Sequence, residues 1–141
     1  MPWYAEVVET RWEKYILFYE AGRPLKCGVR RWKRAKRYFT VPVYDYWSGP
    51  SLWRKTILKW VETYGERIGR HEDKNPWSRV KPVHTVYRVP GKVVEAASEL
   101  KRAVEGNWGT YMMLVRRYRD ALENPEKAAD ALVLVRMIRG I

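Results

Sequence analysis

Residues 3–20 read WYAEVVETRWEKYILFYE, and the recurrence of their apolar side chains decides the fold expected for the whole chain. Tyr4, Val8, Trp12, Tyr15 and Tyr19 follow one another at steps of four, four, three and four, the spacing that gathers side chains on one side of an α-helix. Glu6, Glu9, Glu13 and Glu20 fall on another side, so the segment reads as an amphipathic helix with an aromatic stripe. Ala21-Gly22-Arg23-Pro24 then stops it.

Working outward, Val29 to Phe39 predicts a second, shorter helix. Trp32, Ala35 and Phe39 share one side, and Arg30, Lys33, Arg34 and Arg37 form a basic row. Residues 40–50 (TVPVYDYWSGP) read as an extended connector. A helix over 51–69 follows, with Trp53, Ile57, Trp60, Val61, Tyr64 and Ile68 on its apolar face. Pro76, Pro82 and Pro90 make 70–90 an extended strap, in which Val83, Thr85, Tyr87 and Val89 alternate as a short strand would.

Beyond residue 90, three consecutive helices are expected, striped by Val93, Ala97, Leu100 and Val104, by Trp108, Tyr111, Val115, Tyr118 and Leu122, and by Ala128, Ala131, Val135 and Ile138. Asn107 and Asn124 stand where N-caps are wanted, and Pro125 suits a first helical turn. Short joints make such helices antiparallel neighbours. The expected fold class is therefore all-α: an N-terminal helix-turn-helix arm and connector over 1–50, then a four-helix antiparallel bundle over 51–141, with the Pro-rich strap.

Charge points to the partner. The chain has 28 Lys and Arg against 16 Asp and Glu, a net +12, which favours a polyanion. The excess is local: between residues 23 and 38 stand Arg23, Lys26, Arg30, Arg31, Lys33, Arg34, Lys36 and Arg37, with no acid among them. Solvated faces ordinarily mix signs. These eight are the candidate nucleic-acid contacts, since Lys and Arg release counterions from phosphates and Arg adds a fork matched to their oxygens. Six of the eight tryptophans fall in the first 60 residues. Trp3, Trp12, Tyr15, Tyr19, Trp32 and Trp47 are expected to pack against the core or neighbouring subunits.

The inventory for catalysis reads as thin, and no enzymatic activity or cofactor is expected. His71 and His84 are the two histidines, and neither has a partner at i+4. His71-Glu72-Asp73-Lys74 could in principle place carboxylates on Mg²⁺, but a polar helix end running into a Pro-rich stretch is the favoured account of it. Cys27 has no second cysteine with which to form a disulfide, and a reducing compartment is expected. No apolar stretch approaches the ~20 residues of a membrane span, and Met1–Glu20 carries four glutamates where a signal peptide needs an apolar run. The absence of Gln, with three Asn, is a balance suited to high temperature.

An N-terminal helix, a turn, a basic helix and a C-terminal antiparallel bundle resemble, in layout and composition, the major coat proteins of filamentous and rod-shaped viruses of hyperthermophilic archaea. The resemblance implies an arm over about residues 3–39 that wraps double-stranded DNA, held in the A form, through the eight cations named above. It implies bundles packed outside as a helical shell of copies of this chain, often built in that family from two related coat subunits, in a virion assembled in the host cytoplasm. The main rival is a sequence-specific transcriptional regulator that places Trp53–Arg70 or Thr110–Arg119 in the major groove. An RNA-binding basic protein is a third class.

Overall fold

A computed structural model describes residues 1–25, 36–44, 52–72, 81–106, 116 and 124–128. The chain divides into two compact units, Met1–Pro90 and Gly91–Ile141. The first is built on an antiparallel five-stranded sheet, so the all-α class is overturned. Its elements are β1 (Trp3–Glu9), β2 (Lys14–Glu20), β3 (Tyr38–Tyr44), α1 (Leu52–Tyr64), β4 (Glu66–Glu72) and β5 (Val83–Val89), and the sheet order is β3-β2-β1-β5-β4.

The helix expected over 3–20 is a hairpin. Its register pairs Tyr4 with Tyr19, Glu6 with Leu17, Val8 with Tyr15 and Glu9 with Lys14. A step of four is even, so Tyr4 and Val8 share a face in a strand as they would in a helix, and so do Tyr15 and Tyr19. The two periods part only across the turn. There the Thr10 amide donates to the Glu13 carbonyl at 2.8 Å, and Thr10 Oγ1 accepts from the amides of Trp12 and Glu13 at 3.2 and 3.0 Å. A threonine that caps its own turn in this way competes with helix, and β-branched and aromatic residues on both flanks favour strands.

The second expected helix fails at its end, because Tyr38 and Phe39 open β3; residues 29–35 lie outside the described residues. β3 also takes in the first half of the expected connector, with Pro42 on an edge strand where its missing N–H is tolerated.

Both faces of the central strands are buried: Tyr4, Ala5, Glu6, Val7 and Val8 on β1, and Ile16, Leu17, Phe18 and Tyr19 on β2. One face carries Ala5, Val7, Ile16 and Phe18, the last stacked on Phe39 with ring centroids 4.8 Å apart. Helix α1 packs against β3 and β5, burying Trp53, Ile57, Trp60 and Val61. Gly65 ends it, its amide donating to the Val61 carbonyl at 2.9 Å. A Cβ at Gly65 would run into that carbonyl oxygen and crowd Tyr87 and Val89, which places α1 over the face those two share with Ala5 and Phe18. The helix expected over 51–69 thus exists over 52–64, and residues 66–69 belong to β4.

The opposite face carries Tyr4, Leu17, Tyr19 and Val86, clustered with Ala21, and Leu25 packs on that cluster. Tyr4 and Tyr19 stack with centroids 5.4 Å apart. Strand β5 occupies the alternating part of the expected strap.

In the second unit, α2 (Gly91–Gly106) buries Val93, Val94, Ala96, Ala97 and Leu100, close to the stripe read from the sequence. Residues 125–128 are helical, and Asn124 caps them through its side chain, which accepts from the Glu126 amide at 3.0 Å. The rest of the expected second and third bundle helices, apart from Arg116, lies outside the described residues. The helical-bundle description is replaced by a sheet-based fold with helices.

Candidate nucleic-acid interface

The basic segment is the connection between β2 and β3. Its two ends are tied together: the Glu20 amide donates to the Arg37 carbonyl at 3.0 Å, and the Lys36 amide donates to the Glu20 carbonyl at 3.2 Å. The outgoing end is fixed as well. Ala21 donates to the Pro2 carbonyl at 3.2 Å, and Leu25 donates to the Tyr19 hydroxyl at 3.1 Å while its side chain covers Tyr4, Leu17 and Val86. The chain therefore leaves the sheet and re-enters it at one place, with seventeen residues, 21–37, between the strands.

Of the eight cations, Arg23, Lys36 and Arg37 are exposed at these two ends. Lys26, Arg30, Arg31, Lys33 and Arg34 belong to the same connection and lie outside the described residues, as do Cys27, Trp32 and Trp47. Four described cations outside the connection have acidic company. Lys14 meets Glu9 at 3.5 Å, and on α2 Lys92, Lys101 and Arg102 approach Glu95, Glu105 and Glu99 at 3.9 Å each. The connection has no acid within its own sequence.

Tyr4, Val8, Tyr15 and Tyr19 of the aromatic stripe share one face of the sheet, whereas the six aromatics expected at an interface do not form one surface. Trp3 sits half-buried on the face with Ala5, whereas Tyr15 and Tyr19 belong to the opposite face. Trp12 is exposed in the turn, with the Arg11 guanidinium 5.0 Å from its ring. Tyr19 is buried and serves the connection through its hydroxyl. Burial, and then the carboxylates of Glu13 and Glu6, raise the Tyr15 phenol above its ordinary pKa.

Sequence reasoning missed a second group of residues. On the face of Tyr4 and Leu17, Glu6 is 2% exposed, where an unpaired charge would be costly. His84 Nδ1 lies 3.3 Å from Glu6 Oε1. That is ion-pair range, yet the atoms lack hydrogen-bond alignment, leaving Nδ1 buried without a hydrogen bond. His71 pairs directly with His84 across β4 and β5, and the ring centroids are 6.2 Å apart. Strand register joins these residues over 78 positions of sequence, which no local spacing displays. His71 and Glu72 are consecutive strand residues and point to opposite faces, and Asp73 of the suggested Mg²⁺ cluster lies outside the described residues. Among the described residues no three His, Cys, Asp or Glu side chains converge as metal ligands.

No family model, curated protein or solved structure matches this chain. Residues 53–70 do not form one recognition helix, because Gly65 divides them into α1 and β4; Thr110–Arg119, apart from Arg116, lies outside the described residues. No helix among the described residues is long and apolar enough to cross a membrane.

Proposed function

We propose that this protein binds the phosphate backbone of nucleic acids, without reading base sequence, through the connection between β2 and β3. The observation that carries the reading is the gathering of eight cations and no acid into one connection whose ends are a hydrogen bond apart. Tying both ends starts and finishes the basic segment at one place on the sheet, and fixed ends lower the ordering cost of binding. Neutralising phosphates then supplies affinity by counterion release, the same for any sequence. The likeness to archaeal viral coat proteins rested on a helical arm and bundle; with a hairpin in place of the arm, the reading keeps the nucleic-acid partner and leaves the helical shell aside.

The test is fluorescence anisotropy with labelled duplexes and single strands of unrelated sequence, at stepped salt. Affinities within a few-fold of one another across sequences, falling steeply with salt, are expected. Tight binding to one selected duplex with a shallow salt dependence would favour the regulator instead.

A further inference from the structure

We propose that Glu6, His84 and His71 form an acid–base site that cleaves RNA by transphosphorylation within the strand. The proposal rests on the nucleic-acid reading above and names the substrate on which this face would act.

Three adjacent strands carry the group. Glu6 on β1, His84 on β5 and His71 on β4 share one face, and they run from a Glu6 side chain 3% exposed, through a His84 side chain 12% exposed, to an exposed His71. A carboxylate 3.3 Å from one nitrogen of an imidazole stabilises the imidazolium by its charge once the other nitrogen has taken a proton. His84 is thus built as a general base with Glu6 as its positioning residue. His71, at a centroid distance of 6.2 Å, has the reach of a second proton-transfer group on the same phosphodiester, since each contact needs about 2.6–3.2 Å between heavy atoms.

Two imidazoles either side of one phosphodiester suit a substrate that brings its own nucleophile. His84 removes the proton from a ribose 2′-hydroxyl as that oxygen attacks phosphorus, forming the O2′–P bond. Protonated His71 gives its proton to O5′ as the P–O5′ bond breaks. The products are a 2′,3′-cyclic phosphate and a 5′-hydroxyl, and water exchanges the protons to reset the pair. No oxidant, reductant or second substrate enters. DNA, lacking the 2′-hydroxyl, would be held and left intact.

The basic connection lies within reach of this site. Leu25, at its outgoing end, packs on the cluster that holds Tyr4 and Val86 of the same face, and Tyr4 is four residues along β1 from Val8, the partner of His84. That is about 13 Å of strand, a span of a few nucleotides.

The experiment uses the full chain, excess EDTA and a labelled strand that is deoxy except for one internal ribonucleotide, with binding and cleavage followed in parallel. Cleavage at the ribonucleotide alone, leaving a 2′,3′-cyclic phosphate, is expected. His71→Gln and His84→Gln should each slow it by about 100-fold or more while binding persists. Glu6→Gln should slow it and displace one limb of the pH profile, which a packing role would not move. His71 is exposed on an edge strand, so its variant keeps the fold even if the His84 and Glu6 variants do not. A strand that is bound but uncut, or cut equally by His71→Gln, overturns the proposal and leaves the interface standing. A strand that is not bound overturns both.

Discussion

Strands β1 and β4 are each seven residues long and both pair with β5, yet β1 has five consecutive buried residues while every residue of β4 is exposed. Position in the sheet makes the difference. β1 lies between two partners with both faces covered and holds AEVV at its centre. β4 is an outer strand and reads ERIGRHE, with a register shift between Arg67 and Gly69. Charges, a glycine and a bulge are the means by which edge strands avoid pairing with other chains. The comparison teaches that stability resides in the β1–β2 hairpin and that outer residues are free to serve chemistry.

The largest expected effect breaks the central side of this contrast. Phe18→Ala, at a fully buried site stacked on Phe39, should cost about 3–5 kcal/mol. Ile68→Ala, at an exposed site on β4, should stay within about 0.5 kcal/mol. Urea unfolding of the two variants measures both, and equal losses would dissolve the contrast.

Next in size is Glu6→Ala, which removes a buried side chain that lies 3.3 Å from His84 Nδ1 and should lower stability by about 0.5–3 kcal/mol. His71→Ala on the exposed strand should leave the unfolding midpoint unmoved. Thr10→Ala removes the acceptor that shapes the hairpin turn and should cost about 1 kcal/mol, read from the same curves.

The smallest effect is a pH dependence. Burial first, then Glu13 and Glu6 at Tyr15, Glu9 at Tyr44 and Glu62 at Tyr87, hold three phenols above their ordinary value of 10.0, with Arg67 opposing at Tyr87. A raised folded-state pKa contributes stability in full below the unfolded value and loses it as pH rises through the folded one. The urea midpoint should therefore hold near pH 9 and fall by about pH 11. A midpoint that rose over that interval would contradict the assignment.

Helices α1 and α2 were legible because each has one buried side and one wet side, and strand β5 because its apolar residues alternate: Trp53, Ile57 and Trp60 recur at helical steps, and Val83 to Val89 alternates. The hairpin was not legible, because strands buried on both faces show no alternation, and steps of four between Tyr4 and Val8 or Tyr15 and Tyr19 suit either period. The basic segment was legible as charge, though its place between two paired strands was not. The Glu6–His84–His71 group needed strand register, which brings residues 6, 71 and 84 together through long-range pairing.

The most direct test of the proposed interface compares two sets of four cations for the salt dependence of nucleic-acid binding. One variant replaces Arg30, Arg31, Arg34 and Arg37 of the connection with Ala; the other replaces Lys55, Lys59, Arg67 and Arg70 of α1 and β4, and both lose the same charge. The account predicts that the first flattens the slope of log affinity against log salt by about three to four and that the second barely changes it. An unchanged slope in the first variant, or an equal loss in both, would remove the connection from the binding site.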